Sequence, residues 1–258
     1  MDINYQSYLK VDDLLELQVP LSEGPEHDEL LFITIHQVYE LWFKQLLHEF
    51  GLLQQSLEDA SFSQSNHTLK RVRAILKTLV GQLDILETMT PISFESFRDR
   101  LQKASGFQSF QFRKLEFILG RRSRETYQLH SEKMCAELEE CINRRSLYQS
   151  LLFGMKKFGH EIPDERLKTG LLEPNAEHEV LHPILVKEYR EGGHYAGLME
   201  LFVDIDEGLQ EWRYRHVKMA ERTIGTKAGT GGSSGVEYLR RSLFRPIFPD
   251  LWSIRSLF

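Results

Sequence analysis

The longest regular pattern of hydrophobic positions lies between residues 28 and 50. Apolar or aromatic residues occupy positions 32, 35, 39, 42, 43, 46, 47 and 50, close to the 3.6-residue period of an amphipathic helix. Asp28 and Glu29 precede this stripe, where carboxylates favour the start of a helix. The pattern predicts one long helix that continues to about residue 60. His36 lies inside the stripe, as either a functional side chain or a buried histidine bound to a backbone carbonyl.

Similar stripes predict helices along the whole chain, with a polar break at residues 61–66. They cover residues 11–17, 69–89, 92–101, 110–120, 132–158, 200–222 and 236–243. Ser93 is the predicted N-cap of the helix at 92–101, and the helix at 236–243 is predicted to close the chain. No alternating run typical of a β-strand and no repeat is present. We therefore predict an all-α, single-domain helical bundle that covers residues 1–258.

Charge and composition exclude several functional classes. The net charge of −6 and the pI of about 6.0 argue against nucleic-acid binding through a basic face. No stretch of 18 uncharged apolar residues is present, and the first residues lack the pattern of a secretory signal. Cys135 and Cys141 fit no zinc or redox spacing, so we expect a reduced, cytoplasmic compartment.

His216 is the second histidine that belongs to an apolar stripe. Its neighbours on the same helix face are Trp212 and Met219. The spacing leaves two interpretations open, a buried histidine bound to a carbonyl oxygen or one axial ligand of a haem. His178 and His182 lack a recognised zinc pattern and are interpreted as surface residues.

Three further features have two interpretations each. The glycine-rich segment at residues 229–235 is either a linker or a loop that orders over a ligand. Arg98, with Phe94 one turn before it, suits an amino-acid carboxylate, but it could also pair on the surface with Glu95 or Asp99. The basic run at residues 121–124 is interpreted as a solvated connection, with an anion site as the alternative.

Five motifs together resemble one known family. They are FITIHQVYELWFKQ at residues 32–45, FESFR at 94–98, ASGFQSFQFR at 104–113, WRYRH at 212–216 and GTGGSSG at 229–235. In this order they resemble the tryptophan 2,3-dioxygenases, and the resemblance extends from Tyr5 to Trp252. It implies an all-helical homotetramer with one haem b per subunit. The implied reaction is oxidative cleavage of L-tryptophan, or a close indole amino acid, by O2 to N-formyl-L-kynurenine.

The resemblance also implies roles for individual residues. His216 would be the axial ligand of the haem iron, and His36 the distal histidine that positions the indole N–H. Arg98 would bind the substrate carboxylate with Phe94 alongside. The remaining substrate-binding positions would be Phe32, Ile33, Thr34, Ile35, Thr230, Tyr5, Tyr8 and Leu9, and the remaining haem-binding positions Ser105, Trp212 and Gly229. The segment 1–20 would reach into a neighbouring subunit's site.

Two other functions fit part of the pattern. Some members of the wider superfamily insert a single oxygen atom into a tryptophan derivative, and no residue here separates that outcome from ring cleavage. A haem sensor or carrier without turnover is a second alternative. The carboxylate clamp at Arg98 and the loop at Thr230 count against it, because a gas sensor does not need to bind a zwitterion.

Overall fold

Helices make up the regular structure of the computed structural model. It describes residues 3–24, 26–102, 104, 106–128, 131–229 and 234–258, and within these ranges it contains no strand, only an isolated β-bridge between Arg121 and Pro174. The prediction of an all-α chain is confirmed. In the same ranges no helix is both long and apolar enough to span a bilayer.

The helices follow one another along the chain with short connections. The α-helices are α1 Tyr5–Leu9, α2 Val11–Leu15, α3 His27–Glu58, α4 Phe62–Leu86, α5 Pro91–Arg98, α6 Phe110–Leu119, α7 Arg124–Gln128, α8 Glu132–Asn143, α9 Leu147–Lys157, α10 His182–Arg190, α11 His194–Ile224, α12 Val236–Arg240 and α13 Pro249–Ser253. Short 3-10 helices lie at Asp99–Leu101, Gly106–Gln108, Asp164–Leu167, Glu179–Leu181 and Ile254–Leu257.

The core forms where the long helices α3, α4 and α11 pack against one another. Buried leucine, isoleucine and phenylalanine side chains from all three belong to one cluster that extends to Ile254 near the end of the chain. Helix α9 closes on α3 at Gly154, where an added Cβ would lie 2.2 Å from the carbonyl oxygen of Leu57. Only glycine permits this approach. The packing fixes α3 and α11, the two helices that carry His36 and His216.

The predicted polar break at residues 61–66 is wrong, because α4 begins at Phe62. Among its first polar residues Ser65 is buried rather than looped out. Ser65 donates from Oγ to Oγ of Ser56 on α3 at 2.9 Å, and Ser56 in turn donates to the carbonyl oxygen of Leu53. Small hydroxyls that find such partners can enter a helix interface at little cost.

Other predicted boundaries also differ from the structure. The stripe at residues 132–158 is divided into α8 and α9, because Arg144 is extended and Ser146 starts α9 with a capping box to Gln149. Thr90, and not Ser93, is the N-cap of α5. The chain does not close with α12, since α13 follows it and packs into the core through Leu251.

His182 is buried, so its interpretation as a surface residue is wrong. Its Nε2 lies 3.3 Å from Oδ1 of Asp250, which is buried at the start of α13. Asp250 also accepts hydrogen bonds from the Tyr148 hydroxyl at 3.0 Å and from the backbone N–H of His178 at 2.6 Å. This network attaches the C-terminal segment to α9 and α10.

Candidate functional site

A cavity of about 1000 Å³ lies between α3, α5, α6 and α11, at the upper end of the range of small-molecule sites. The predicted site residues that line it are Phe32, His36, Phe94, Arg98, Trp212, His216 and Gly229. The structure therefore brings together, on one cavity, residues separated by nearly 200 positions in sequence.

His216 contributes an uncharged imidazole to the α11 wall of this cavity. Burial, together with the nearby ring of His36, lowers its pKa to about 4. At neutral pH only about one molecule in a thousand is then protonated at this ring. Neither ring nitrogen hydrogen-bonds to a residue that the structure describes. The imidazole is therefore available as a neutral ligand.

Trp212 stacks on His216 one turn earlier in α11. The two rings are 5.4 Å apart between centroids and parallel within 1°. The indole Nε1 of Trp212 lies 3.4 Å from the hydroxyl of Tyr39, which donates to the carbonyl oxygen of Leu79 on α4 at 2.7 Å. Tyr39 thus links α3 and α4 to the residue that supports His216. In the sequence, Tyr39 is only one position of an apolar stripe, and its spacing indicates no such link.

His36 lines the same cavity from α3, and it contributes to the lowered pKa of His216. Its Nδ1 donates to the carbonyl oxygen of Phe32 at 2.7 Å, since a carbonyl can only accept. Burial lowers the pKa of His36 although this hydrogen bond and Glu40 oppose the shift. The neutral ring therefore keeps an acceptor lone pair at Nε2, for which the described residues provide no donor.

Phenylalanine rings form the wall beside His36. The ring of Phe32 is 4.1 Å from that of His36, 5.8 Å from that of Phe94 and 5.7 Å from that of Phe97, measured between centroids. Phe97 is completely buried behind the other two. These contacts give the cavity an apolar slot suited to a flat aromatic group.

Arg98 lies at the cavity edge with its side chain 15% exposed. Its Nη2 donates to the carbonyl oxygen of Ala228 at 2.6 Å, and its Nη1 lies 3.6 Å from Oε2 of Glu95. Arg98 thus has an acidic neighbour on its own helix and also lines the cavity, and its binding of a carboxylate stays a prediction. Its contact with Ala228 joins α5 to the segment that leads to Gly229.

An ionic cluster fixes α6 against α11 on another wall. Glu116 accepts hydrogen bonds from Arg113 at 2.6 Å and from Arg213 at 3.1 Å, and Arg121 Nε lies 3.9 Å away. Burial raises the pKa of Glu116, but the arginines outweigh this effect and bring it below its ordinary value. Because Arg213 precedes His216 by one turn, this pairing fixes the rotation of α11 that turns His216 to the cavity.

The basic run at residues 121–124 is not a solvated connection throughout. Arg121 contributes to the ionic cluster, and Arg122 is buried and donates to backbone carbonyls. Arg124 is exposed.

Other predicted site residues lie elsewhere. Ile35 is buried in the core and Thr34 is exposed, because successive residues of α3 point about 100° apart around the helix; neither they nor Ile33 line the cavity. Tyr5, Tyr8 and Leu9 are exposed on α1. Ser105 and Thr230 lie outside the described residues.

Comparison with known proteins decides the family. The family profile described as "Tryptophan 2,3-dioxygenase" matches residues 1–163 and 171–258. The chain is 49% identical to the tryptophan 2,3-dioxygenase of Herpetosiphon aurantiacus over 255 residues, covering 98% of both chains. It is 50% identical to that of Anaeromyxobacter sp. over 98% of this chain and 96% of the relative, and 39% identical to that of Pseudomonas fluorescens over 98% and 90%. The chain belongs to the tryptophan 2,3-dioxygenase family.

Membership of the tryptophan 2,3-dioxygenase family confirms the resemblance inferred from the five motifs. The match extends from the N-terminal residues to the end of the chain, beyond the motifs themselves.

Proposed function

We propose that this chain is a haem-dependent dioxygenase that cleaves the indole ring of L-tryptophan with O2 to give N-formyl-L-kynurenine. One observation carries the proposal. A neutral His216 without a hydrogen-bond partner among the described residues shares a cavity of about 1000 Å³ with His36, in a chain that belongs to this family.

The donor chemistry at His216 supports one haem b per subunit. A bare metal ion needs several protein ligands, whereas porphyrin supplies four nitrogens to iron and needs one axial imidazole. The described residues contain no group of three or more His, Cys, Asp or Glu side chains that could hold a metal ion. His216 would hold the iron, with Trp212 against its ring and Gly229 at the cavity edge. Of the other proposed contacts, Ser105 lies outside the described residues.

L-Tryptophan is a zwitterion with a flat apolar body, and the described residues offer a partner for most of it. Phe32 and Phe94 would enclose the indole and exclude water. The free Nε2 of His36 would accept the indole N–H. Arg98 would bind the carboxylate, and Thr230, outside the described residues, would contact the ammonium group.

Bound haem supplies the redox chemistry that activates O2, and the chain supplies orientation and a dry pocket. His36 would hold the proton at the indole nitrogen without removing it, because the ring can react with its N–H in place. Both oxygen atoms enter the product, so atoms balance without a further reductant.

We also propose a homotetramer. Helices α1 and α2 contain no buried residue in the single chain, and Tyr5 and Tyr8 are 73% and 75% exposed. Such an apolar segment suits contact with another subunit, where Tyr5, Tyr8 and Leu9 would border the neighbour's substrate.

The product mass tests the reaction. The haem-loaded protein is reduced without oxygen, mixed with L-tryptophan and exposed to air. We expect a product heavier than tryptophan by two oxygen atoms. A gain of one oxygen atom would instead assign the chain to the mono-oxygenases of tryptophan derivatives, and an unchanged substrate would contradict both reactions.

A variant tests the proposed ligand separately. His216→Ala should lose haem, or all turnover, because no described residue offers a second axial imidazole on that wall. His48→Ala, which removes an exposed histidine of α3, is the matched control and should keep normal haem content. An active, haem-replete His216→Ala protein would refute the ligand assignment.

A further inference from the structure

Two cations from different segments meet the same carboxylate at the edge of the cavity. Lys227 Nζ lies 2.8 Å from Oε1 of Glu95, and Arg98 Nη1 lies 3.6 Å from Oε2. The first contact is a charge-assisted hydrogen bond, whereas the second is too long to be a hydrogen bond. Glu95 therefore pairs chiefly with Lys227.

Glu95 carries a full negative charge at neutral pH. Its hydrogen bond to Lys227 is the main reason that its pKa lies below the ordinary value, and Arg98 adds a smaller effect. This charge lies beside the guanidinium that, in the proposed function, binds the substrate carboxylate. Two carboxylates compete for one arginine, so the position of Glu95 matters for substrate binding.

Close backbone contacts fix Lys227 relative to α5. A Cβ added at Gly235 would lie 2.5 Å from the carbonyl oxygen of Lys227 and 3.3 Å from the backbone nitrogen of Gly229, so the two ends of the glycine-rich segment touch. Arg98 holds the carbonyl oxygen of Ala228, the next residue. Lys227 is thus held where its ammonium group reaches Glu95.

We propose that Lys227 is a positioning residue that competes with Arg98 for Glu95, so that Arg98 Nη1 makes no hydrogen bond to Glu95 and stays available to a substrate carboxylate. The inference rests on the proposed function. Glu95 and Lys227 would then affect the affinity for tryptophan through Arg98, without touching tryptophan themselves.

The proposal fixes the sign of three changes. In Lys227→Met, Glu95 loses its closer partner and pairs with Arg98, so the Kd for L-tryptophan should rise about three- to fivefold, the upper part of the effect of one exposed ion pair. Glu95→Gln removes the competing charge and should lower the Kd. In the double variant Lys227→Met/Glu95→Gln the increase should disappear, a non-additivity that a double-mutant cycle measures.

A purely structural role for the pair predicts a different result. If the ion pair only attached residues 225–229 to α5, breaking it from either side would weaken binding, and Glu95→Gln would raise the Kd as Lys227→Met does. The sign of the Glu95→Gln effect therefore separates the two roles. The KM should change with little change in kcat, because binding and not the chemical step is affected.

Lys218→Met is the matched control. Lys218 is 55% exposed, compared with 54% for Lys227, and it also forms a 2.8 Å ion pair, with Glu221. The experiment measures L-tryptophan binding to the anaerobic holoenzyme, together with kcat and KM in air, at low and high salt. The effect of Lys227→Met should shrink at high salt, which screens exposed charges.

Three outcomes would overturn the proposal. They are an unchanged Kd in Lys227→Met, an increased Kd in Glu95→Gln, or no recovery in the double variant. If the wild-type holoenzyme itself does not bind L-tryptophan, the proposed function fails. If the wild type binds and Lys227→Met binds equally well, only the role of Lys227 fails.

Discussion

His36 uses one ring nitrogen within the protein, and the other has no partner among the described residues. Since Nδ1 donates to the carbonyl oxygen of Phe32, Nε2 can accept the indole N–H but has no proton to give. Loss of one neutral hydrogen bond reduces a rate by roughly two- to tenfold, whereas loss of a general base reduces it by roughly 10²- to 10⁴-fold. We expect His36→Ala to lower kcat/KM by about tenfold or less with haem content intact, as steady-state kinetics would measure.

His36→Gln provides the control, because its amide oxygen accepts a hydrogen bond but takes no proton at neutral pH. Partial recovery in this variant supports positioning. A complete loss of turnover in His36→Ala at full haem content would show instead that the histidine takes part in proton transfer.

The sequence could predict these two histidines, since each stands out within an apolar stripe. It could not predict what surrounds them. Tyr39 has the same spacing as its apolar neighbours, and nothing local indicates that its hydroxyl lies between Leu79 and Trp212. The contact of Arg98 with Ala228 crosses 130 residues, so it depends on the folded arrangement of α5 and α11.

At the scale of elements, Arg122 caps the end of α8 from the connection between α6 and α7. Its guanidinium donates to the carbonyl oxygens of Cys141, Ile142 and Arg144 at the end of α8, and to that of Phe117 on α6, at 2.7–3.3 Å. The carbonyl oxygens of Cys141 and Arg144 have no other partner among the described residues, whereas that of Ile142 also accepts from Gly170 N–H and that of Phe117 from Gly120 N–H. Arg122→Met leaves the part-buried carbonyls of Cys141 and Arg144 unpaired, which should reduce the free energy of unfolding by about 3 kcal/mol, measured by urea denaturation.

Arg124→Met is the matched control, since it removes the same charge from an exposed position two residues away. It should change stability by less than about 0.5 kcal/mol. Equal stabilities of the two variants would mean that water replaces Arg122 at the end of α8 without cost.

Helix identity could be predicted from periodicity more reliably than helix ends. The stripe that predicts α3 and α11 repeats over many turns, and both helices form. Periodicity does not predict the division of residues 132–158, because the apolar spacing continues past Ser146. What starts the new helix there is the capping box between Ser146 and Gln149. The burial of Arg122 is equally hidden, since its partners lie about 20 residues further along the chain.

At the scale of the whole molecule, the N-terminal segment exposes its apolar side chains to solvent in the single chain. Besides Tyr5 and Tyr8, Leu15 is 69% and Leu17 61% exposed. The end of the segment nevertheless lies close to α3, because Gln37 donates to the carbonyl oxygen of Leu17 at 2.9 Å and Gln18 donates to Gln37 at 2.6 Å. Its attachment lies beside His36 on the same helix, so another subunit that accepts α1 would approach the cavity region.

The proposed tetramer therefore depends on α1, and a charge there should break it. Burying a tyrosine contributes on the order of 3 kcal/mol, so Tyr5→Asp/Tyr8→Asp should remove several kcal/mol per contact and add two buried charges. We expect a lower molar mass by light scattering and a lower kcat/KM, because the neighbour's site loses part of its border. Ile92→Asp is the control, since Ile92 is 84% exposed at the start of α5 and should leave the assembly unchanged. An unaltered molar mass in the tyrosine variant would show that the subunits associate through another surface. If the activity of that tetramer were reduced, α1 would contribute to the substrate site and not to the assembly.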